Sequence, residues 1–323
     1  MSNWMEVPVS LGVSGARPMV GINWGSSNFR AWRIGADGTV LDRVAMPHGV
    51  AALDREGMRA CIDALVARWG PLGDCWASGM IGSNIGWADA GYCKAPSSVA
   101  DLAAHSLDAT IGDTPVRIIP GLACTGPHGG PDVMRGEEVE LYGYLALCGA
   151  RSGDQFIVLP GTHSKWVHCR DGRIVDFFTA MGGEIFDRMT SQGLLASITE
   201  GSGAVGAAFD GGCDRARLSG LGLGSLLFET RARAVRAGLG KEDAASHLRG
   251  LLIGGEIADA LRLYPALAGA QVTLIGNPAL SALFARPLGA HDIAAEIVDS
   301  ERCCIAGYGA LVAATSDRAE RAA

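Results

Sequence analysis

Residues 157–178, IVLPGTHSKWVHCRDGRIVDFF, read as strand, tight polar turn, strand, Asp-Gly hairpin and strand. The central turn, Gly161-Thr162-His163-Ser164-Lys165, sets a glycine, two hydroxyls and a lysine side by side. Donors at that density suit an anion such as phosphate. The same pattern occurs near the start of the chain. Met19–Trp24 reads as a buried strand, Gly25-Ser26-Ser27-Asn28 as a turn, Phe29–Ile34 as a second strand, Ala36-Asp37-Gly38 as a hairpin and 39–46 as a third strand. Laying Gly25 on Gly161 puts Ser26 on Thr162 and Ser27 on His163, and the Asp37-Gly38 and Asp171-Gly172 hairpins follow 12 and 10 residues later. A repeat this far apart predicts domain duplication rather than a solenoid. The expected architecture is therefore α/β, with two duplicated domains and a ligand cleft between them.

Composition limits what that cleft can serve. The 323 residues are enough for two domains. A net charge of −7 disfavours nucleic acid as the main partner, since a polyphosphate backbone needs a basic surface. A small anionic substrate remains compatible, because local clusters decide that binding. Nine cysteines without a CxxC pair point to a reducing cytoplasm. The first residues lack the basic and apolar regions of a signal peptide, and no stretch has the length of a membrane span. A soluble cytoplasmic protein is expected, with no membrane partner.

Taken in order, residues 1–17 suggest a loose tail. Arg55–Trp69 has helical apolar spacing, 74–77 a short strand, and the glycine-rich segment 78–87 a loop in which Gly82, Ser83, Asn84 and Trp87 offer close approach, hydrogen bonds and a flat face to a substrate. Residues 116–119 read as a strand. Prolines and glycines over 120–131 mark the expected domain boundary, giving domains 18–131 and 132–323. Residues 132–147 suggest a helix with Asp132 as N-cap and with Arg135, Glu137 and Glu138 in its first turns. After the second meander a helical insertion is expected over about 186–250. A helix over 251–263 opening at Gly254-Gly255, a strand over Gln271–Ile275 and the loop Gly276-Asn277-Pro278 follow.

Two hydroxyl-bearing turns and a third glycine loop suit two domains closing on a nucleotide. Gly254, Gly255, Gly276 and Asn277 would then meet the base or ribose. No GxxxxGK[ST] or G-x-S-x-G motif, and no GxGxxG between a strand and a helix, competes with this reading. Phosphoryl transfer needs a cation, donors around the transferred group and a carboxylate near the acceptor hydroxyl. Lys165, Thr162 and Ser26 are candidate donors, and Glu137, Glu138 or Asp132 the carboxylate. Arg135 and Arg30 are candidates to pair with a substrate carboxylate through the guanidinium fork.

The segments MVGINWGSSNFRAW, SGMIGSNIGW, IIPGL, VMRGEE, VLPGTHSKWV, MGGEIF, GLLIGGEIA and VTLIGNPAL resemble, in order and spacing, the motifs of the 2-dehydro-3-deoxygalactonokinases. That family belongs to the acetate and sugar kinase, Hsp70 and actin superfamily, so the resemblance implies duplicated ribonuclease-H-like domains. It implies ATP- and magnesium-dependent phosphorylation of the 6-hydroxyl of 2-dehydro-3-deoxy-D-galactonate, in galactonate breakdown. By the same resemblance the first phosphate motif falls on Asn23-Trp24-Gly25-Ser26-Ser27, beside Asn28. The second falls on Gly161, Thr162, His163, Ser164 and Lys165, and the adenosine loop on Gly276-Asn277-Pro278. Glu137 and Asn23 are the expected metal contacts. The family usually has Asp-Trp-Gly where this chain has Asn23-Trp24-Gly25, and Thr-Gly-Glu where it has Gly182-Gly183-Glu184. An asparagine keeps the oxygen of an aspartate and loses its charge. The alternative reading is therefore a same-fold nucleotide-binding regulator or a weakly active kinase. The apolar helices over 184–264 offer a surface for a homodimer.

Overall fold

The computed structural model describes residues 18–149 and 152–322, so the expected tail over 1–17 lies outside it. The first half opens with the meander Met19–Trp24 (β1), Phe29–Ile34 (β2) and Val40–Met46 (β3), with Asn23 opposite Arg30. Arg55–Trp69 (α1) follows. The Asp54 carboxylate caps it by accepting the Gly57 N–H, and Met58, Ile62, Leu65 and Trp69 turn into the core at helical spacing. Cys75–Gly79 (β4), Tyr92–Lys94 (β5), Val99–Ala104 (α2), Leu107–Ile111 (β6), Thr114–Ile118 (β7), Gly121–Thr125 (β8), Pro131–Met134 (β9) and Glu137–Cys148 (α3) complete this half. Its main sheet runs β3-β2-β1-β4-β7-β6, and β5-β8-β9 form a smaller sheet.

The second half begins with Asp154–Leu159 (β10), Ser164–Arg170 (β11) and Arg173–Ala180 (β12). Asp171 at φ 51° and Gly172 at φ 74° give the β11–β12 hairpin the two positive φ angles of a turn matched to strand twist. Five helices come next: Gly182–Ser191 (α4), Gly193–Ala196 (α5), Ala207–Ser219 (α6), Leu223–Ala237 (α7) and Lys241–Leu263 (α8). Gln271–Ile275 (β13), Pro278–Gly289 (α9), Ala294–Val298 (β14) and Ser300–Ala322 (α10) close the chain. This sheet runs β12-β11-β10-β13-β14, with β13 parallel to β10 and β14 parallel to β13. Its order repeats β3-β2-β1-β4-β7, in which β4 is parallel to β1 and β7 to β4. The two halves thus repeat one topology, as the repeated meander predicts, and match the duplicated ribonuclease-H-like units that the resemblance implies.

One buried apolar cluster joins the halves. It takes Trp32, Ile34 and Trp76 from the first sheet, Ile157, Val167 and Phe177 from the second, and the apolar faces of α3 and α10. The two helices pack backbone against backbone: a Cβ on Gly143 would lie 1.7 Å from the Cys303 carbonyl oxygen, and one on Gly307 would lie 2.1 Å from that of Val139. Separate clusters seat α1 on the outer face of the first sheet and α8 with α9 on the second.

Three local expectations change. Residues 120–131 are no linker: the prolines and glycines shape the β8–β9 hairpin, in which Gly126 N–H meets the Gly130 carbonyl. The proposed boundary at 131 falls on the first residue of β9, and the chain crosses between the main sheets later, along α3. The helix expected over 132–147 starts only at Glu137, because Gly136 at φ 109° turns the chain and 131–134 pair as a strand. Gly254 and Gly255 open nothing, since α8 is continuous from Lys241 to Leu263. Gly250 and Gly254 instead let α8 lie against α6, where a Cβ would sit 2.0 Å from the Phe209 carbonyl oxygen and 2.7 Å from Cys213 Cα.

Candidate active site

Duplication places equivalent turns at equivalent strand ends. Gly25–Asn28 follows β1, and Gly161–His163 follows β10. In the first turn Gly25 N–H donates to the Asn28 carbonyl, while Ser26, Ser27 and Asn28 are exposed. Val50 and Ala51 N–H groups fix it from behind by donating to the Gly25 and Ser26 carbonyls. In the second, Glu184 N–H donates to the Thr162 carbonyl, and His163 Nε2 pairs with Glu184 Oε2 at 2.7 Å. Both turns present hydroxyls and backbone to solvent on scaffolds that hold them still.

The start of α3 lies between these turns. A Cβ on Gly79 would be 2.6 Å from the Trp24 carbonyl oxygen, and one on Gly136 would be 3.4 Å from Gly79 Cα. The ends of β1 and β4 and the start of α3 therefore touch through backbone. From the other half, Lys165 leaves β11 with its side chain 6% exposed. Its Nζ donates to Thr179 Oγ1 at 3.1 Å and lies 3.8 Å from Glu137 Oε1. Thr179 in turn donates its N–H and hydroxyl to the Asp132 carboxylate at 2.6 and 2.7 Å. Asp132, Thr179, Lys165 and Glu137 form a polar chain across the two halves.

The two neighbouring glutamates differ sharply. Glu137 is 32% exposed and accepts the Arg135 N–H. Glu138 is buried, accepts the Gly136 N–H through Oε2, and leaves Oε1 without a partner. Burial, reinforced by the neighbouring Glu137 charge, pushes its carboxyl up to about 8. The Glu140 carboxyl, one turn on, is pushed up to about 7, chiefly by burial. A base must be able to accept a proton at neutral pH and reach the cleft. Glu138 is sealed in the interior, whereas Glu137 is partly exposed beside Lys165.

The other expected residues divide into exposed ones and ones engaged in holding the structure together. Asn23 lies across from Arg30 and Ser78 in the sheet, and its Nδ2 points at Cys304 Sγ, 3.9 Å away on α10. Arg30 is exposed, with its guanidinium over the Trp32 ring, and pairs with no carboxylate among the described residues. Arg135 is different: its guanidinium donates to the carbonyls of Gly82 and Gly91, stacks over Tyr92 and is 6% exposed. It braces the 80–92 segment instead of opening to a substrate. Gly82 is buried beside it, and Ser83 Oγ is spent on the Met80 carbonyl. Trp87 is pinned by the Thr110 carbonyl and by Arg55 over its ring. Asn84 is exposed. Asn277 Oδ1 caps α9 through the Ala279 and Leu280 N–H groups, beside a half-buried Gly276. Gly255 has open space where a Cβ would stand. The bridging part played by Thr179 has no sequence signal, because it depends on β9 meeting β12.

Residues 23–311 match the family described as 2-keto-3-deoxy-galactonokinase. The chain belongs to that family. A probable 2-dehydro-3-deoxygalactonokinase from Rhizobium meliloti (strain 1021) is 35% identical over 301 residues, covering 91% of this chain and 96% of that one. The 2-dehydro-3-deoxygalactonokinase of Escherichia coli (strain K12) is 33% identical over 266 residues, 82% and 87% of the two chains. A crystal structure of a protein described as a 2-dehydro-3-deoxygalactonokinase, from Sinorhizobium meliloti, superposes with a TM-score of 0.82 at 35% identity, covering 93% of this chain and 98% of that one. This 2-keto-3-deoxy-galactonokinase family member is a sugar-acid kinase with a two-lobed α/β fold. No helix among its described residues is long and apolar enough to cross a membrane.

Proposed function

We propose that the kinase transfers the γ-phosphoryl group of ATP to the 6-hydroxyl of 2-dehydro-3-deoxy-D-galactonate in the cleft between the two turns. The observation that carries this is the approach of Lys165, from the second half, to Glu137 at the start of α3, with the first turn's strand end touching Gly136 through Gly79. Glu137 takes the proton of the 6-hydroxyl as that oxygen bonds to phosphorus and the bond to the ADP oxygen breaks. Ser26, Ser27, Asn28, Gly161, Thr162 and His163 supply donors around the phosphates, and Lys165 offsets the charge at the reacting centre. Arg30 reads the sugar-acid carboxylate, while Arg135 holds the loop that bears Asn84 in place. A kinase of this design yields a product whose phosphorus–proton correlation in NMR lies at C6. Phosphorus on any other carbon contradicts the assignment.

The residues fit magnesium only as a phosphate-borne ion. Among the described residues no three His, Cys, Asp or Glu side chains are placed to hold a metal. Magnesium bound by phosphates keeps several waters and needs one or two protein oxygens, which Glu137 and the Asn23 amide can supply. When bound, the ion neutralises phosphate charge. The neutral amide at Asn23 motivates the second reading, a nucleotide-binding regulator with weak transfer. The two readings separate in Asn23→Asp. Under the second, the substitution raises kcat about tenfold or more and lowers the magnesium concentration for half-maximal rate. Under the first, wild type already turns over efficiently and the gain stays below about threefold.

A further inference from the structure

Resting on the kinase reading, we propose that Arg249 is the cation that binds the nucleotide's polyphosphate on the side of the second half. A narrow cleft runs beside the second turn, walled by Gly161 and Ser164, by Gly182, Gly183 and Phe186 of α4, and by Arg249, Leu252, Ile253 and Glu256 along one face of α8. Position 249 stands at i, i+3, i+4 and i+7 spacing with the other α8 residues of that wall, so its side chain shares their face. On the α4 wall of the same cleft, Gly183 abuts the turn that the duplication marks as a phosphate loop: a Cβ there would be 2.4 Å from the Gly161 carbonyl oxygen.

The cations near this turn are otherwise committed. Lys165 lies against Glu137 and Thr179, on the side of the first half. His163 pairs with Glu184, and Arg188 lies 4.0 Å from the same carboxylate. Arg249 has no such partner among the described residues. Its guanidinium carbon stands 3.8 Å from the centroid of the Phe186 ring, and its buried Nε makes no hydrogen bond. Gly203 closes the other side: a Cβ there would be 2.9 Å from Arg249 Cβ. A half-buried guanidinium with an unused donor loses solvation and gains it back from an anionic ligand. The stack on Phe186 fixes the plane of the fork before the ligand arrives, which lowers the ordering cost of binding. Glu256, deeper in the same cleft, is buried against Trp166 and does not neutralise Arg249 by an ion pair. The cleft itself, at about 20 Å³, admits no more than a water, so a ligand phosphate of matching charge meets the guanidinium at the cleft's rim. The sugar acid, bound near Arg30 and Glu137, lies on the other side of Lys165.

The test uses the full-length enzyme with Arg249→Met, which keeps an unbranched chain over Phe186 and removes the charge, and Arg249→Lys, which restores the charge without the fork. Arg249→Met is expected to raise the KM for ATP and the calorimetric Kd for ADP by about 10- to 100-fold, with the KM for the sugar acid within about twofold of wild type. Arg249→Lys is expected to fall between. A merely structural role would lower the thermal midpoint and the active fraction while leaving KM for ATP and Kd for ADP unchanged, and that result overturns the assignment. So does a rise confined to the sugar-acid KM. If wild type shows no sugar-acid phosphorylation, the functional reading fails, yet ADP affinity still decides the role of Arg249.

Discussion

Glu137→Gln is expected to lower kcat by about 10²- to 10⁴-fold, the range spanned by removal of a positioned general base. The KM values for ATP and sugar acid should change little, because the amide keeps the shape and the hydrogen bond from the Arg135 N–H. Glu138→Gln is the control that makes the result specific. The Glu138 carboxyl is already pushed up to about 8 by burial, so at neutral pH its amide mimic removes little that is functional. Its kcat should stay within about tenfold of wild type. A reversed order, with Glu138→Gln the more damaging, would move the base to the buried position. Steady-state kinetics of the two variants side by side decides between them.

Gly143→Ala should be the most damaging small substitution away from the chemistry. The added methyl would start 1.7 Å from the Cys303 carbonyl oxygen and 2.6 Å from the Gly307 amide nitrogen, where neither helix can yield without moving the other. Overpacking of a rigid core costs about 1–3 kcal/mol, and here the obstacle is backbone on both sides. Because α3 carries Glu137 at its start and joins the inner faces of both sheets, the strain would also shift the site. The urea midpoint is expected to fall with little change in slope, and kcat to drop along with it. A midpoint equal to that of wild type would contradict the backbone contact between α3 and α10. An alanine at Gly255, where a Cβ meets nothing within 4 Å, should be tolerated by comparison.

The fold was readable because its signals are local and doubled. Each meander has alternating strands, a polar turn and an Asp-Gly hairpin, and the repetition points to duplication before any long-range contact is known. Short or edge elements were not readable: β5, β6, β9, α2 and β14 carry too few residues for a periodic signal, and they are fixed by neighbours distant in sequence. The glycines of α8 misled for a related reason. The pair Gly254-Gly255 looks like a helix opening, and only the approach of α6 shows that Gly254, with Gly250 one turn before it, permits close packing. In the proposed site, the chemistry of the residue types alone marks Glu137 and the two turns. Arg135 was read as a substrate ligand because a guanidinium suits a carboxylate equally well whether it faces a cleft or two backbone carbonyls. Arg249 stood inside an ordinary helical stretch and gave no signal until Phe186 and Gly203 closed around it.

The central claim, phosphoryl transfer from ATP to a 2-keto-3-deoxy sugar acid between the two halves, is tested most directly by ADP release from the wild-type enzyme in a coupled assay. The rate is followed with 2-dehydro-3-deoxy-D-galactonate, with related 2-keto-3-deoxy sugar acids and with no acceptor. The account predicts saturable ADP release that requires the sugar acid and is lost in Glu137→Gln. ADP release that is equal with and without every acceptor, or that survives Glu137→Gln, would contradict it.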